Sequence, residues 1–416
     1  MNQHLLTHAH TIIRQSIAAV LPDEAVRRAL ADMDLPPRVT LVAIGKAAWR
    51  MAAAAQSILG SRITQGVVVT KYGHSEGALP GLEIIEAGHP VPDENSIRGA
   101  ARALDLVSGL SREDAVLFLI SGGGSALFEA PLPGASLGDI AALTRQLLAC
   151  GASIAEINAV RKHLSAVKGG RFAMACAPAS LTCIVLSDVL GDAPDVIASG
   201  PAAPDASTCA DVQAIIRKYA LTVPEHLLPL LATETPKALE RVTSIVTGSV
   251  SALCEAAAGA ARSLGYVPLV LTTTLDCEAR EAGAMMAAIA REIRRSGSPI
   301  SPPCAVIAGG ETVVHLRGTG LGGRSQELAL AAAKGLDGLQ SVCLLALGSD
   351  GTDGPTDAAG GIVTGGFAAA CRARGLSIDA ALQNNDAYPL LKEMDALIMT
   401  GPTGTNVNDV CVLLIK

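Results

Sequence analysis

The chain has 416 residues, of which 50% are hydrophobic, 17% are charged and only 2% are aromatic, and its formal net charge is −7. This length predicts two or three domains with ample apolar cores. The acidic balance and the scarcity of aromatic residues argue against a nucleic-acid-binding protein, which needs a basic face and stacking side chains. A polyanionic substrate would therefore need a local cluster of Lys or Arg.

Targeting and cysteine signals both favour a reduced, cytoplasmic compartment. Polar residues from His4 to Gln15 interrupt the apolar residues of the first stretch, which predicts a helix rather than a signal peptide. No uninterrupted apolar run is long enough to cross a membrane, so we expect no membrane partner. The ten cysteines include no C-x-x-C and none stands near a His at metal-ligand spacing, which predicts reduced core residues.

Strand-like runs alternate with alanine-rich helical stretches in the first half of the chain. The strands are predicted at 38–45, 65–70, 115–120 and 181–188. The helices are predicted at 46–59 and at 93–110, the second beginning with Asp93 as its cap. This βαβα order predicts an α/β fold with a mainly parallel, doubly wound sheet. Ligands of such sheets bind beyond the carboxyl ends of the strands.

A second series of elements follows the proline-containing stretch 221–240. Its strands are predicted at 242–248, 266–273, 304–310, 312–316 and 342–348. A helix over 278–297 separates some of them. We therefore predict two α/β domains, 1–235 and 236–416, both built on doubly wound, mainly parallel sheets.

Lys46 follows a predicted strand and Gly45, and it stands where a helix begins. An ammonium group is unfavourable at the positive end of a helix, so this position favours a lysine that meets an anion there. An ordinary surface lysine is an equally weighted alternative. The site is not a Walker loop, because G-x-x-x-x-G-K-[ST] is absent.

The stretch SGGGS, Ser121 to Ser125, lies between a predicted strand and a predicted helix. Three consecutive glycines (Gly122, Gly123, Gly124) are costly to order, so something must require their lack of side chains. Two explanations are open: a tight turn with positive φ, or an anion held by backbone N–H groups and the two hydroxyls.

Carboxylates follow the next strand, in the stretch LSDVLGDAPD. Asp188 ends the strand, and Asp192 and Asp195 come after it. Carboxylates at the carboxyl end of a strand are suited to bind Mg²⁺ or to act as a base, because Mg²⁺ prefers a few hard oxygen ligands. Ordinary turn formation by Asp, Gly and Pro explains the same residues equally well.

The stretch GTGLGGRSQE contains a literal G-x-G-x-x-G at Gly318, Gly320 and Gly323, after a predicted strand and before a predicted helix. This pattern is a dinucleotide fingerprint, but a general phosphate loop that includes Gly322 fits it too. Arg324 is the sharper feature. A guanidinium beside exposed N–H groups at a helix start makes a two-pronged clamp for phosphate.

Two further polar loops and one histidine complete the candidates. Asp350, Asp353 and Asp357 stand among glycines after a strand, where they either bind substrate or form a turn. The stretch 400–410 places short hydrogen-bonding side chains before the final strand, which suggests a polar pocket wall. His89 is a candidate catalytic residue, although a lone His is more often structural.

Eight motifs, in order over nearly the whole chain, carry a family resemblance. They are GKAAWRMA, GHPVPDENS, SGGGSAL, LSDVLGD with IASGP, GGETVV, GGRSQELAL, GSDGTDGPTDAAG and GPTGTNVNDV. Together they resemble the bacterial and animal glycerate 2-kinase family, whose C-terminal half is the MOFRL domain. The resemblance implies a Rossmann-like first domain, a MOFRL second domain and an active site in the cleft between them.

The implied reaction is ATP + D-glycerate → ADP + 2-phosphoglycerate, with Mg²⁺. Many relatives carry the name hydroxypyruvate reductase, which would imply NAD(P)H chemistry and is the alternative. A non-catalytic nucleotide sensor is a third hypothesis, and it would be expected to lack Lys46 or Arg324, which are both present. The expected partners are small molecules, with a homodimer left open.

The family's proposed catalytic pair maps onto Lys46 and Arg324. Ser325 departs from the family's commoner Asn, so any contact of that Asn is not carried over. On chemical grounds we expect Ser121–Ser125, Gly322, Gly323 and Asp350 to bind phosphate or the glycerate carboxylate. Asp188 and Asp192 are expected to hold Mg²⁺ or, for Asp188, to accept the hydroxyl proton.

Overall fold

Two six-stranded β-sheets organise the computed structural model, which describes residues 2–31 and 33–416. The chain divides into two units. One comprises Ala25–Thr247, and the other joins the segment ending at Glu24 to Gly248–Lys416.

The sheet of the Ala25–Thr247 unit has the strand order β3-β2-β1-β4-β5-β6. Its strands are β1 (Val39–Ile44), β2 (Ile63–Lys71), β3 (Leu82–Ala87), β4 (Ala115–Ile120), β5 (Ser180–Leu186) and β6 (Val242–Gly248). The pairs β3–β2, β2–β1, β1–β4 and β4–β5 are parallel. Every residue of β1 and β4 is buried, as expected for central strands covered on both faces. The predicted parallel, doubly wound sheet is confirmed for this unit.

Helices cover this sheet and form a second layer beside it. They are α2 (Pro22–Ala31), α3 (Ala48–Leu59), α4 (Glu94–Val107), α5 (Gly124–Leu127), α6 (Leu137–Ala149), α7 (Ile154–Leu164), α8 (Arg171–Cys176), α9 (Cys209–Lys218) and α10 (Leu228–Leu231). Asp93 caps α4 by accepting the Ser96 N–H at 3.0 Å, which confirms the predicted cap. Helices α6, α7, α9 and α10 share an apolar core of their own.

The second sheet has the order β11-β10-β9-β12-β8-β7. Its strands are β7 (Val267–Leu275), β8 (Cys304–Gly310), β9 (Val342–Gly348), β10 (Gly360–Thr364), β11 (Leu397–Ile398) and β12 (Asp409–Ile415). Only β7–β8 is parallel, and the other four pairs are antiparallel. The prediction of a mainly parallel second sheet was therefore wrong. The C-terminal strand β12 lies between β8 and β9 and runs antiparallel to both. The sequence could not show this, because a fully buried apolar strand has the same residue pattern in either direction.

The helices of this unit are α1 (Asn2–Ala19), α11 (Val250–Ser263), α12 (Ala279–Ser296), α13 (Arg324–Gly335), α14 (Phe367–Ala373), α15 (Ile378–Gln383) and α16 (Ala387–Glu393). The strand predicted at 312–316 is reduced to an isolated bridge between Val313 and Glu278. The loop 317–323 therefore does not follow a strand.

The structure divides the chain differently from the predicted domains 1–235 and 236–416. Strand β6 is the edge strand of the first sheet, so that unit extends to Thr247. Helix α1 packs on α11 and β9, with Leu5 and Ile12 buried, and so belongs with the C-terminal half. Apolar residues at helical spacing predicted α1 itself but carried no information about its packing partner.

The helices and the cysteines of the described residues bear on two expectations from the composition. None of their helices combines the length and the apolar character that crossing a bilayer would require. All ten cysteines are unpaired thiols, and seven are buried as expected. Cys150 and Cys277 are exposed and Cys209 is partly buried, so these three are not core residues.

Candidate active site

The loops after β1 and β4 meet where the strand order of the first sheet reverses. In doubly wound sheets this reversal opens a crevice at the carboxyl ends of the two central strands. The Lys46 N–H donates to the Gly122 carbonyl at 2.9 Å, and the Ala47 N–H donates to Ser121 Oγ at 3.1 Å. Ser121 Oγ in turn donates to the Ile44 carbonyl at 3.2 Å. These bonds fix the lysine loop and the glycine loop against each other.

The three glycines of the SGGGS loop are required by the protein's own neighbouring groups. A Cβ on Gly122 would collide with the Asp188 carboxylate. Gly123 has a φ of +85°, and its Cβ would lie 3.0 Å from the His89 ring and 3.3 Å from Lys46 Cγ. The positive φ of Gly123 supports the explanation by a tight turn, and close approach of the protein's own atoms at Gly122 and Gly124 is a further reason that was not predicted from the sequence. The groups that approach Gly122 and Gly123 are candidate catalytic side chains, whereas Gly124 meets Ala198 and Ile44; anion binding stays a prediction.

Ser125, at the far end of the loop, is held by a buried polar network. Its Oγ lies 2.9 Å from Ser199 Oγ, and Ser199 Oγ donates to Asn158 Oδ1 at 3.1 Å. Its carbonyl accepts a hydrogen bond from Lys168 Nζ at 2.9 Å. The hydroxyl predicted to bind an anion is thus already positioned by the protein.

Lys168 pairs with Glu129 at 3.2 Å, and both side chains are fully buried. Burial lowers the pKa of Lys168 to about 8, although the neighbouring Glu129 charge opposes the shift. A buried pair of this kind fixes one arrangement of the chain around the loop. Sequence reasoning missed both residues, because nothing in their local pattern separates them from surface charges.

Lys46 and His89 face each other across Gly123. In the described part of the chain the Lys46 ammonium has neither a hydrogen-bond partner nor an ion pair. Burial, followed by the charges of Lys46 and Lys71, lowers the pKa of His89 below its ordinary 6.5. His89 is therefore neutral at pH 7, and a cation without a counter-ion stands next to it.

The carboxylates after β5 are placed differently from one another. Asp188 stands against Gly122, in the group just described. Asp192 has a φ of +53°, and its Oδ1 is buried with no hydrogen-bond partner among the described residues. Asp195 lies 3.8 Å from Lys162 Nζ in an ion pair.

In the second unit, side chains of the protein already accept hydrogen bonds from the backbone N–H groups of the G-x-G-x-x-G loop. Asn385 Oδ1 accepts the N–H groups of Arg317 and Gly318 at 2.7 and 3.1 Å. The Leu321 N–H donates to Asp386 Oδ1 at 2.8 Å, and a Cβ on Gly320 would meet the same segment. The glycines make room for residues 384–386, and no strand precedes them. The loop lacks the context of a dinucleotide fingerprint.

Arg324 begins α13, as predicted, but its guanidinium group already donates hydrogen bonds to two carboxylates. Its Nε and Nη2 donate to the two oxygens of Asp409 at 2.6 and 3.0 Å, and its Nη1 donates to Glu311 Oε1 at 2.7 Å. Burial lowers the pKa of Arg324, but the hydrogen bonds and charge of Asp409 outweigh this effect and raise it. Asp409 itself is mostly buried, which raises the pKa of its carboxyl to about 7 despite the arginine.

The N–H groups at the start of α13 are also taken. Asp353 accepts the Ser325 and Gln326 N–H groups at 3.2 and 2.8 Å, and a Cβ on Gly323 would collide with this carboxylate. Burial raises the pKa of Asp353 to about 6, with these N–H bonds opposing the rise. The expectation that exposed helix N–H groups assist Arg324 in binding phosphate was wrong, because the protein supplies its own anion there.

The two remaining predicted positions of the second unit have local partners. Asp350 Oδ1 accepts the Thr352 N–H at 3.0 Å in a turn. A Cβ on Gly322 would lie 3.2 Å from the Ala387 backbone nitrogen. Their substrate roles stay predictions. The acidic partners Asp409 and Glu311 were not foreseen as partners of Arg324, because they are distant from it or unremarkable in sequence.

Two family models match the chain. The domain of unknown function DUF4147 matches residues 8–232, and the MOFRL family matches residues 304–409. The D-glycerate 2-kinase of Thermotoga maritima is 55% identical over 97% of both chains. A protein of Agrobacterium vitis named putative hydroxypyruvate reductase is 44% identical over 91% of this chain and 87% of its own. The crystal structure of a glycerate kinase from Thermotoga maritima matches all of both chains, with a TM-score of 0.97 and 54% identity.

Proposed function

The chain belongs to the glycerate 2-kinase family, and from this premise we propose that it transfers the γ-phosphoryl group of ATP to the 2-hydroxyl of D-glycerate. The bond from the γ-phosphorus to its bridging oxygen breaks, a bond to O2 of glycerate forms, and the hydroxyl proton leaves. The observation that carries the proposal is the convergence of Lys46, His89 and Asp188 on Gly122 and Gly123.

Phosphoryl transfer requires anion positioning and charge stabilisation more than covalent chemistry. Lys46 supplies a cation without a protein partner among the described residues. No backbone carbonyl of the described turns and loops accepts the N–H groups of Gly122, Gly123 and Gly124. We assign these groups to an anionic part of the substrates. The O–H groups of Ser121 and Ser125 donate to the Ile44 carbonyl and to Ser199 Oγ, so the two hydroxyls position the loop and would contact the anion only by giving up these bonds.

The proton of the 2-hydroxyl needs an acceptor near the reacting oxygen. Asp188 is the acceptor expected from the sequence, and the neutral His89 ring stands beside the same loop. We propose Asp188 as the base and His89 as a neutral neighbour of the same loop that does not itself accept the proton. Arg324 is proposed to act on the transferred group after exchanging one of its carboxylate partners.

The residues after β5 fit a divalent cation. The Asp192 Oδ1 is a buried carboxylate oxygen without a hydrogen-bond partner among the described residues, and such an oxygen requires a cation or a proton. We propose that Asp192 and one oxygen of the Asp188 carboxylate hold Mg²⁺, which leaves the second Asp188 oxygen to accept the hydroxyl proton. When bound there, Mg²⁺ would supply positive charge that offsets the negative charge of the phosphates during the transfer. A cytoplasmic location and a homodimer stay predictions.

The reductase alternative has little support in the geometry. The first βα turn of the Rossmann-like sheet, where a dinucleotide fingerprint would lie, carries Gly45 and Lys46 instead. The literal G-x-G-x-x-G stands in the other unit, closed by Asn385 and Asp386. The name carried by the Agrobacterium relative is therefore not a reason to assign NAD(P)H chemistry here.

One assay separates the two activities. Purified protein is incubated with ATP, Mg²⁺ and D-glycerate, and the product is identified by ³¹P and ¹³C NMR. We expect 2-phosphoglycerate rather than the 3-isomer, and no NADH or NADPH oxidation with hydroxypyruvate above background. Robust NAD(P)H turnover without phosphorylation of glycerate would overturn the proposal.

A further inference from the structure

Three residues from distant parts of the Ala25–Thr247 unit form a cluster that the proposed reaction does not use. His163 lies on α7, Cys209 begins α9, and Glu234 follows α10. One ring nitrogen, the thiol sulfur and one carboxylate oxygen all lie within 4.8 Å of one another. Imidazole, thiolate and carboxylate are the groups that bind zinc-like metals in proteins.

His163 has one buried ring nitrogen with an unused lone pair. Its side chain is fully buried, and its Nδ1 lies 2.8 Å from the Ala159 carbonyl, which can only accept. Nδ1 therefore carries the proton, and Nε2 is left with a free lone pair and no hydrogen-bond partner among the described residues. A backbone carbonyl on the other ring nitrogen is also the usual support of a metal-binding histidine. Burial lowers the pKa of this ring and keeps it neutral.

In the absence of a metal, two hydrogen bonds connect Cys209 to Glu234, one from its thiol and one from its backbone N–H. The Cys209 N–H donates to Glu234 Oε1 at 3.0 Å. Burial, and then the hydrogen bond from the thiol to Glu234, raise the pKa of Cys209. Lys237 lies 2.9 Å from the other oxygen of Glu234, in a pair that is about half exposed and rearranges at little cost.

The backbone around the cluster is fixed by a buried carboxylate. Asp205 accepts hydrogen bonds from Lys162 Nζ at 3.1 Å and from Thr235 Oγ1 at 2.8 Å. These two residues are the chain neighbours of His163 and Glu234. The ligand atoms are therefore held near one another by an interaction that does not depend on a metal.

We propose that His163, Cys209 and Glu234 bind one divalent transition-metal ion of the zinc class, with water as the fourth ligand. The mixed nitrogen, sulfur and oxygen set suits Zn²⁺ or Co²⁺, whereas Mg²⁺ prefers oxygen ligands alone. Binding forms three metal–protein bonds, and the thiol proton passes to bulk water. The site is distinct from the proposed magnesium site after β5.

The metal would stabilise the helical layer next to the glycine loop. It would tie α7, α9 and the segment at Glu234 together. Arg161, also on α7, donates to the Ser125 carbonyl at 3.0 Å and lies 3.8 Å from Glu129. We therefore assign the site a structural role, in which the metal raises stability without touching the substrates.

The test uses the full chain after treatment with a chelator. Co²⁺ should bind one per chain and produce a thiolate-to-cobalt charge-transfer absorption band, which excess Mg²⁺ does not remove. Zn²⁺ at a hundredfold excess over its Kd should raise the melting temperature of the unit by about 5–10 °C. Cys209→Ser should abolish the band, and His163→Gln should weaken Co²⁺ binding by at least tenfold.

Cys150→Ser is the matched control, because it removes an exposed thiol from the same unit, and it should keep both the band and the zinc-induced shift. His163 is buried, so His163→Gln has the greater risk of misfolding. Cys209→Ser, at a partly exposed position, keeps the test decisive. A chain that gives no charge-transfer band, or a band that survives Cys209→Ser, would overturn the proposal. Glycerate kinase activity is measured separately, so loss of one result does not imply loss of the other.

Discussion

Each unit of the molecule has a glycine-rich loop that leads into a helix, and the two loops differ in what approaches them. In the first unit, Gly122 and Gly123 make room for Asp188, His89 and Lys46. In the second, the glycines at 318–323 make room for residues 384–386 and for a carboxylate that caps α13. A glycine-rich pattern predicts that some other group lies close to the backbone of the loop. The pattern does not show whether that group is a catalytic side chain or a structural one.

The two candidate catalytic cations differ in the same way. Lys46 has no ionic partner in the described residues, whereas Arg324 is held by Asp409 and Glu311. Lys46 is free to receive an anion at once. To act on a phosphoryl group as proposed, Arg324 would have to exchange a carboxylate for it. Because Arg324 is paired with a buried carboxylate, its removal also has a structural consequence that removal of Lys46 lacks.

The largest effect is expected at Lys46. Lys46→Ala should lower kcat by about 10²–10³-fold, the order found for losing one electrostatic contact to the transition state. The free energy of unfolding should change little, because no partner is left unpaired. Lys71→Ala, at the end of the neighbouring strand β2, controls for general loss of positive charge. Equal losses of kcat in the two variants would contradict a specific catalytic role for Lys46.

Arg324 should affect both activity and stability. Arg324→Lys keeps the charge but loses the fork, so kcat should fall by about 10²–10³-fold. Combined with Lys46→Ala, the loss should be less than additive if both residues act on one phosphoryl group. Arg324→Ala should lower the free energy of unfolding by about 3 kcal/mol above pH 7, because it leaves the Asp409 carboxylate buried and unpaired.

This stability loss should depend on pH. The folded pKa of Asp409 is about 7, raised by burial above its ordinary value of 3.8, and removing Arg324 raises it further. A carboxyl with a raised folded pKa stabilises the fold at low pH and loses that contribution as the pH rises. The gap between wild type and Arg324→Ala should therefore widen as the pH rises through 7, measured by urea unfolding. Arg372→Ala, which breaks an exposed pair with Asp337, should cost less than about 1 kcal/mol at any pH.

The two glycine-rich loops should respond oppositely to substitution. Asn385→Ala leaves two backbone N–H groups without their acceptor, and it should lower the free energy of unfolding by about 2 kcal/mol while kcat changes little. Gly123→Ala strains a φ of +85° by about 1 kcal/mol and presses on His89 and Lys46, so kcat should fall more than stability. Unfolding in urea and steady-state kinetics measure the two effects. The reverse pattern would show that the second loop is the reactive one.

The smallest effect is expected at His89. Its pKa lies below 6.5, chiefly because of burial and then because of Lys46, so protonation of the ring should lower the rate only below pH 6.5. His89→Asn should reduce kcat/KM only about tenfold at pH 7.5, since the proposed proton acceptor is Asp188 and His89 is its neighbour at the same loop. His74→Asn, at the ring that contacts the Lys46 carbonyl, is the control. If the acidic limb of the pH profile survives His89→Asn and disappears in Asp188→Asn, the proton acceptor is Asp188 alone.

The first sheet and part of its candidate site were predictable from the sequence. Buried strands followed by Lys46, Ser121 and Asp188 predicted polar groups at one edge, since parallel strands end on the same side. The partners of Arg324 were not predictable, because Asp409 lies 85 residues away along the chain. The direction of β12 and the placement of α1 were missed for a related reason, since an apolar pattern shows burial but not which neighbour provides it.

By itself the sequence determined which apolar runs are buried, where most strands and helices run, and which loops have no room for side chains. These properties follow from local periodicity, backbone freedom and capping. Tertiary structure alone decided which side chains stand against each loop: His89 at Gly123, Asp353 at Gly323, and Glu234 beside His163 and Cys209. Such pairings depend on how distant strands and helices pack, and the free energy of packing is a property of the whole unit rather than of any local segment.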